Sequence, residues 1–193
     1  MFYTSQMEVY VGQQPNGPYK IDTNAKAVVQ RLCQPILKTN RNVTTDNWFY
    51  SIPLADSLRD NGLTFIGTMR KNKREIPDLF TQKNERPIGS SMFAFGCGGT
   101  LVSYIPKKNK NVLLFSMMRR DNINGVTGKP EIIHRYNETK GGVDVVDKLC
   151  AQYNVARGTR RWPKHGNVAG INSFIIYNSK KSQLNIPKKR IFN

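Results

Sequence analysis

Asp144 and Asp147 stand three residues apart in GGVDVVDKLC (141–150), where Val143, Val146, Leu149, Cys150 and Tyr153 recur at spacings of three and four. That period predicts an α-helix starting near Val143, after the Gly141-Gly142 breaker, with the two acids one turn apart beside its apolar stripe. Carboxylates in the first turns of a helix are favoured by the positive end of its dipole and can stay ionised. Two acids at a helix start are also ordinary helix chemistry. Asp46 closes RNVTTD (41–46), a β-favouring run, and is followed by Asn47, Trp48 and Phe49. Ligands of α/β sheets gather beyond the carboxyl ends of strands. An acid there can share Mg²⁺ with a helix-borne acid such as Asp144, leaving positions for water and phosphate oxygens. Asp46 reads equally as a turn residue. A two-metal phosphoryl-transfer site would ask for a third carboxylate.

Acids that hold a divalent metal become informative beside cations that hold a phosphodiester strand. RKNKR (70–74) supplies Arg70, Lys71, Lys73 and Arg74, and a second group, Arg157, Arg160, Arg161 and Lys164, surrounds Trp162-Pro163. Further runs stand at 107–110 and 188–190. Any one run can be a solvated face, but 30 Lys+Arg against 13 Asp+Glu give a formal charge of +17. A charge that large calls for an anionic partner, nucleic acid first. Trp162 can stack on a splayed base, or anchor packing beside its proline. His134 and His165 have no nucleophile or metal-ligand partner at a recognisable spacing and are not read as catalytic. Cys33, Cys97 and Cys150 are odd in number and widely spaced, which fits a reduced intracellular compartment better than a disulfide framework. A membrane partner is not expected: no apolar run approaches bilayer length, the best being Phe174–Tyr177.

These groups must be positioned by a small α/β core. Residues 7–11 alternate like a short strand. Asp22 or Thr23 can cap a helix with Ala27, Val28, Leu32 and Ile36 inward, ended or kinked by Pro35. After the strand 41–46, Ser51 caps a short helix with Pro53 in its first turn and Leu54, Ala55 and Leu58 inward. Asn61-Gly62 stops it, and Leu63–Thr68 forms a second strand. Strand, helix and strand within 28 residues (41–68) make a βαβ unit with parallel strands. Met92–Phe95, Thr100–Ile105 and Val112–Met117 read as an antiparallel meander inserted before the 143–156 helix. Residues 119–129 and the start of the segment from Tyr136 read as loop, and Trp162-Pro163 should end the helix beginning at Val143. Ile171–Tyr177 is too short for periodicity to separate helix from strand, and the basic tail reads as frayed.

Five segments together resemble the piggyBac transposases and their domesticated relatives: DNWFYSIPLA (46–55), LTFIGTMRKNKREIP (63–77), TLVSYIPKK (100–108), YNETKGGVDVVDKLC (136–150) and RRWP (160–163). They occur in the family's order from about Asn42 to Tyr177. The resemblance implies an RNase H-like (retroviral-integrase-like) α/β core with a β-rich insertion. It also implies an acidic triad that uses Mg²⁺ to cut DNA at element ends and join the freed 3′ hydroxyl to target DNA. By motif position Asp46 is similar to the second acid, Asp144 to the third, and Asp147 to a further acid that supports the site. The family's first acid lies on the opening strand of the core and has no match here, since Asp22 sits in a helix cap. The N-terminal DNA-binding part and the C-terminal cysteine-rich module are also unmatched.

The organisation expected is therefore a partial core over 1–69 with its first strand missing, a β-rich insertion over 70–135, the helical end of the core over 136–178 and a basic tail over 179–193. The function expected is that of a piggyBac-type catalytic-core fragment that binds DNA, with Mg²⁺ held weakly or not at all and no cleavage alone. It would be nuclear by analogy, and a homo-oligomer on DNA as the family is. The alternative is a domesticated, non-catalytic DNA- or chromatin-binding protein whose basic runs are its working parts.

Overall fold

The computed structural model describes residues 3–10, 12, 14–82, 86–96, 98–118, 122–153 and 163–183, with side chains of 166–180 in the last segment. The chain forms two units, Glu8–Lys140 and a second made of Met1–Met7 with Gly141–Asn193.

In the larger unit, β1 (Asn42–Thr45), α2 (Ile52–Asp60) and β2 (Thr64–Thr68) form the expected βαβ crossover, with β1 and β2 parallel and Thr45 opposite Gly67. Ser51 accepts the Leu54 amide and so caps α2. Leu54, Ala55 and Leu58 are buried, as their helical spacing requires. Gly62, at φ 68°, turns the chain back toward β2; its carbonyl accepts the Asn40 amide and thereby fixes the entry into β1. An L side chain is strained at that φ.

The three later strands, β3 (Ser91–Gly96), β4 (Gly99–Lys107) and β5 (Lys110–Ser116), pair antiparallel as the alternation predicts. They do not stand apart as an inserted sheet. β5 lies antiparallel beside β2, and all five strands form one sheet in the order β1-β2-β5-β4-β3. The reason is visible in the sequence of β2 and β5, which are apolar on both faces. Phe65, Leu113 and Phe115 point into one cluster with Val29, Cys33, Leu54 and Leu58; Ile66, Leu114 and Val102 point into another with Ile132 and Ile133. Strands buried on both faces must be covered twice, here by α1 (Ala25–Cys33) with α2 on one side and α4 (Glu131–Thr139) on the other.

Several expectations require correction. Residues 7–10 form no strand, and the alternating Met7 and Val9 are exposed rather than paired. What holds this segment is polar: Arg31 donates to both Glu8 oxygens at 2.6 and 2.8 Å. The α1 cap is Asn24, which accepts the Ala27 amide, and the buried face is Val29 with Cys33. Asp22 instead accepts the Asn24 amide, one step earlier in the chain. Pro35 does end α1, in a 3-10 turn over Gln34–Ile36. A short α3 (Asp78–Thr81) interrupts the expected polar loop. The stretch from Tyr136, whose start reads as loop in the sequence, instead continues α4, begun at Pro130 and held by Ile132 and Ile133 against the sheet.

The smaller unit contains α5 (Gly142–Gln152) and α6 (Pro163–Gln183). Ile171–Tyr177 is helical, so that alternative closes in favour of helix. Pro163 starts a helix, where its missing N–H costs nothing. Cys150, Val168 and Ile171 form the seam, and Asn167 Nδ2 donates to the Cys150 carbonyl at 3.1 Å. The inward face of α5 includes Val146, Leu149 and Cys150, but Val143 and Tyr153 are exposed, Val143 at 73%.

Candidate functional site

Asp46 stands immediately after β1, at the carboxyl end of a parallel strand, and is exposed. Its position is set by the aromatic residues next to it in the chain. Phe49 packs against the core and Tyr50 is buried within it, its ring 5.8 Å from Phe65 and 5.5 Å from Phe115. The segment DNWFY is thus pinned at its aromatic end, while Asp46, Asn47 and Trp48 remain outside. Asp46 Oδ1 accepts the Trp48 amide at 3.0 Å. This side-chain-to-backbone turn fixes the carboxylate relative to the Trp48 backbone. Gly67, the β2 partner of Thr45, completes the support: a Cβ there would lie 2.9 Å from Thr45 Oγ1 and from the Phe65 ring.

The first basic run begins beside this turn. The Arg70 guanidinium lies 4.8 Å from the centroid of the Trp48 ring, a cation over the negative face of an aromatic. Arg70, Lys71 and Arg74 are exposed and Lys73 half-buried, in successive turns closed by the Lys73 amide on Arg70 and the Ile76 amide on Lys73. Ile76 is buried, so the run is tethered to the core at its far end. The sequence named these cations as DNA-binding candidates, but assigned no role to Trp48. The available signal was a tryptophan in a polar turn next to an acid, where an apolar side chain has no core to enter.

In the smaller unit Asp144 and Asp147 lie one turn apart on α5, both exposed, with Asp144 in the first turn. The sequence reading of this pair therefore agrees with the helix observed. Arg157, Arg160, Arg161 and Trp162 lie outside the described residues, as does the Lys164 side chain and the run at 188–190. The 107–110 run is the β4–β5 hairpin, with Lys107 opposite Lys110 and Asn109 at φ 61°.

Carboxylate oxygens suit a hard divalent cation, and Mg²⁺ is typically held by one or two carboxylates with waters and substrate phosphates. The donor chemistry of Asp46, Asp144 and Asp147 fits that ion. Among the described residues no group of three or more His, Cys, Asp or Glu is close enough to cage a metal. A separate, partly buried polar network is structural. Arg86 donates to Ser103 Oγ (2.6 Å) and to the Ser90 and Ser103 carbonyls, while Asn111 and Ser103 both donate to the Phe80 carbonyl. Burial lowers the Arg86 pKa. This network ties α3 and the following loop to β4.

An α/β sheet with an exposed acid beyond a parallel strand, a stacked tryptophan–arginine pair beside it and a large positive charge is the profile of a protein that handles phosphodiesters. A family model described as "Transposase IS4" matches residues 1–179, and the chain belongs to that transposase family. It is similar to piggyBac transposase: the cryo-EM structure of the piggyBac transposase synaptic complex with hairpin DNA is 42% identical over 94% of this chain, with a TM-score of 0.81. The chain spans 39% of that protein's chain. The resemblance drawn from DNWFYSIPLA and its companion segments is borne out.

Proposed function

We propose that these 193 residues are the DNA-gripping part of a piggyBac-type transposase core of RNase H-like fold. Asp46, Asp144 and Asp147 would be the carboxylates it contributes to metal-dependent strand cleavage and transfer. The observation that carries this is Asp46, exposed beyond β1 in a chain 42% identical to a transposase solved with hairpin DNA. Mg²⁺, when bound, would neutralise charge developing on the scissile phosphate and assist the attacking oxygen. The chain's own residues do the rest. Asp46 and Asp144 supply oxygen ligands, with Asp147 supporting them, and Arg70, Lys71, Lys73 and Arg74 hold the strand. Arg157, Arg160, Arg161, Trp162 and Lys164 extend that grip by motif position. No residue among the 193 matches the first triad acid, so they bind DNA without cutting it. A nuclear location and assembly as a homo-oligomer on DNA follow from the same reading.

Fluorescence anisotropy with a labelled duplex, titrated with salt, tests the grip. Affinity should fall linearly in log–log form, and Arg70→Ala with Lys73→Ala should flatten the slope by about 2. Binding indifferent to salt would overturn the reading. The reading as a non-catalytic chromatin protein shares this grip and differs only in having no chemistry to restore.

A further inference from the structure

Trp48 is one of several exposed large apolar side chains, and it stands beside the candidate carboxylate. It is 64% exposed, yet it is held in place twice, by its amide on Asp46 Oδ1 at 3.0 Å and by the Arg70 guanidinium 4.8 Å from its ring centroid. A tryptophan that merely filled a gap would be covered, as Tyr50 two residues later is. With one face under the guanidinium, the indole still presents open π-surface, and the cation beside it carries charge complementary to a phosphate. Flat aromatics paired with arginine are what unpaired bases stack on, with little regard to sequence, because every base has a π-face.

We propose that Trp48 and Arg70 form a stacking platform for an unpaired DNA base beside Asp46, so that a nucleotide leaving the duplex is registered against that carboxylate. The proposal rests on the DNA-handling function above and adds a preference that basic runs alone cannot give. Charge on lysines and arginines grips any backbone, paired or not, whereas the platform rewards only a base free to leave its stack. Because the Asp46 carboxylate and the Trp48 backbone share one turn, the platform and the candidate metal ligand cannot drift apart independently.

The test compares the full chain with Trp48→Ala and Trp48→Phe on two DNAs, a blunt duplex and the same duplex with a single-stranded overhang carrying 2-aminopurine. Circular dichroism confirms that each variant is folded. The wild-type chain should favour the overhang and quench its 2-aminopurine. Trp48→Ala should lose about 10-fold in overhang affinity, together with the quench, and keep its blunt-duplex affinity; Trp48→Phe should retain most of both. Equal overhang binding and quenching by Trp48→Ala, with duplex binding normal, would overturn the platform and leave the DNA function standing. Equal losses on both DNAs would also overturn it, since they would mark Trp48 as structural. A wild-type chain that binds neither DNA would overturn both.

Discussion

Gly67 and Glu8 show two different ways in which single residues support this unit. Gly67 has no room for a methyl group: the nearest atoms to an added Cβ, Thr45 Oγ1 and the Phe65 ring, lie at 2.9 Å. Gly67→Ala should therefore cost about 1–3 kcal/mol through overpacking, read as a lower denaturant midpoint, and should disturb the strand end that carries Asp46. A neutral substitution would mean that β1 is held less tightly than its register suggests. Glu8 is a matter of charge. The hydrogen bonds from the Arg31 guanidinium hold its carboxyl below the usual range, with opposite charge adding to the effect and slight burial opposing it. A carboxylate with a lowered folded pKa stabilises fully above its unfolded value, and that contribution is lost as pH falls through the lowered folded value. Glu8→Gln should therefore lose stability near neutral pH and converge with the parent chain in acid. A constant offset across an acid titration would contradict the ion-pair account. Both effects arise at pairs that no sequence spacing advertises, 23 residues apart in the case of Glu8 and Arg31.

At the scale of elements, the βαβ unit was readable in advance because each of its signals is local. Ser51, Pro53, the Leu54/Ala55/Leu58 spacing and Asn61-Gly62 all act within a few residues of where they stand. Ser51→Ala should cost about 1 kcal/mol and Leu54→Ala about 2–5 kcal/mol in chemical denaturation. A reversed order would mean that α2 is held by its cap more than by its core. The Asp144/Asp147 pair was readable for the same reason, an apolar period on one short helix. What failed depended on distant partners. The alternation of residues 7–11 suits a strand, but among the described residues no strand pairs with 7–10. The start of the segment from Tyr136 reads as loop because Gly141-Gly142 follows it, whereas Tyr136 packs with Ile132 and Ile133 against the sheet face that α4 covers. The meander was correctly read as antiparallel, yet its junction to β2 rests on Ile66 facing Ser116 and Gly67 facing Phe115 across 48 to 50 residues. β1 has its only described partner on one side, in β2. Its outward amides should exchange with solvent before those of β2, β4 and β5. Equal protection along the whole sheet would show that something covers that edge.

Over the whole molecule, the formal charge of +17 and the family membership point the same way. In the proposed function the charge would supply a sequence-independent hold on DNA, and the three candidate acids would supply oxygen ligands. Composition showed the charge, and the order of five motif segments showed the family. The stacked Trp48–Arg70 pair was not legible, because residues 22 apart meet only once the βαβ unit has closed. The central claim is that these residues hold DNA but lack the full set of acids to cut it. Its most direct test is metal-dependent cleavage of a labelled duplex carrying the parent element's terminal repeat, measured with Mg²⁺ for the 193-residue chain, Asp46→Ala and Asp144→Ala. The account predicts salt-sensitive binding by all three and cleavage by none. Cleavage by the unaltered chain that disappears in both variants would contradict it, and would mean that a further ligand among these residues completes the site.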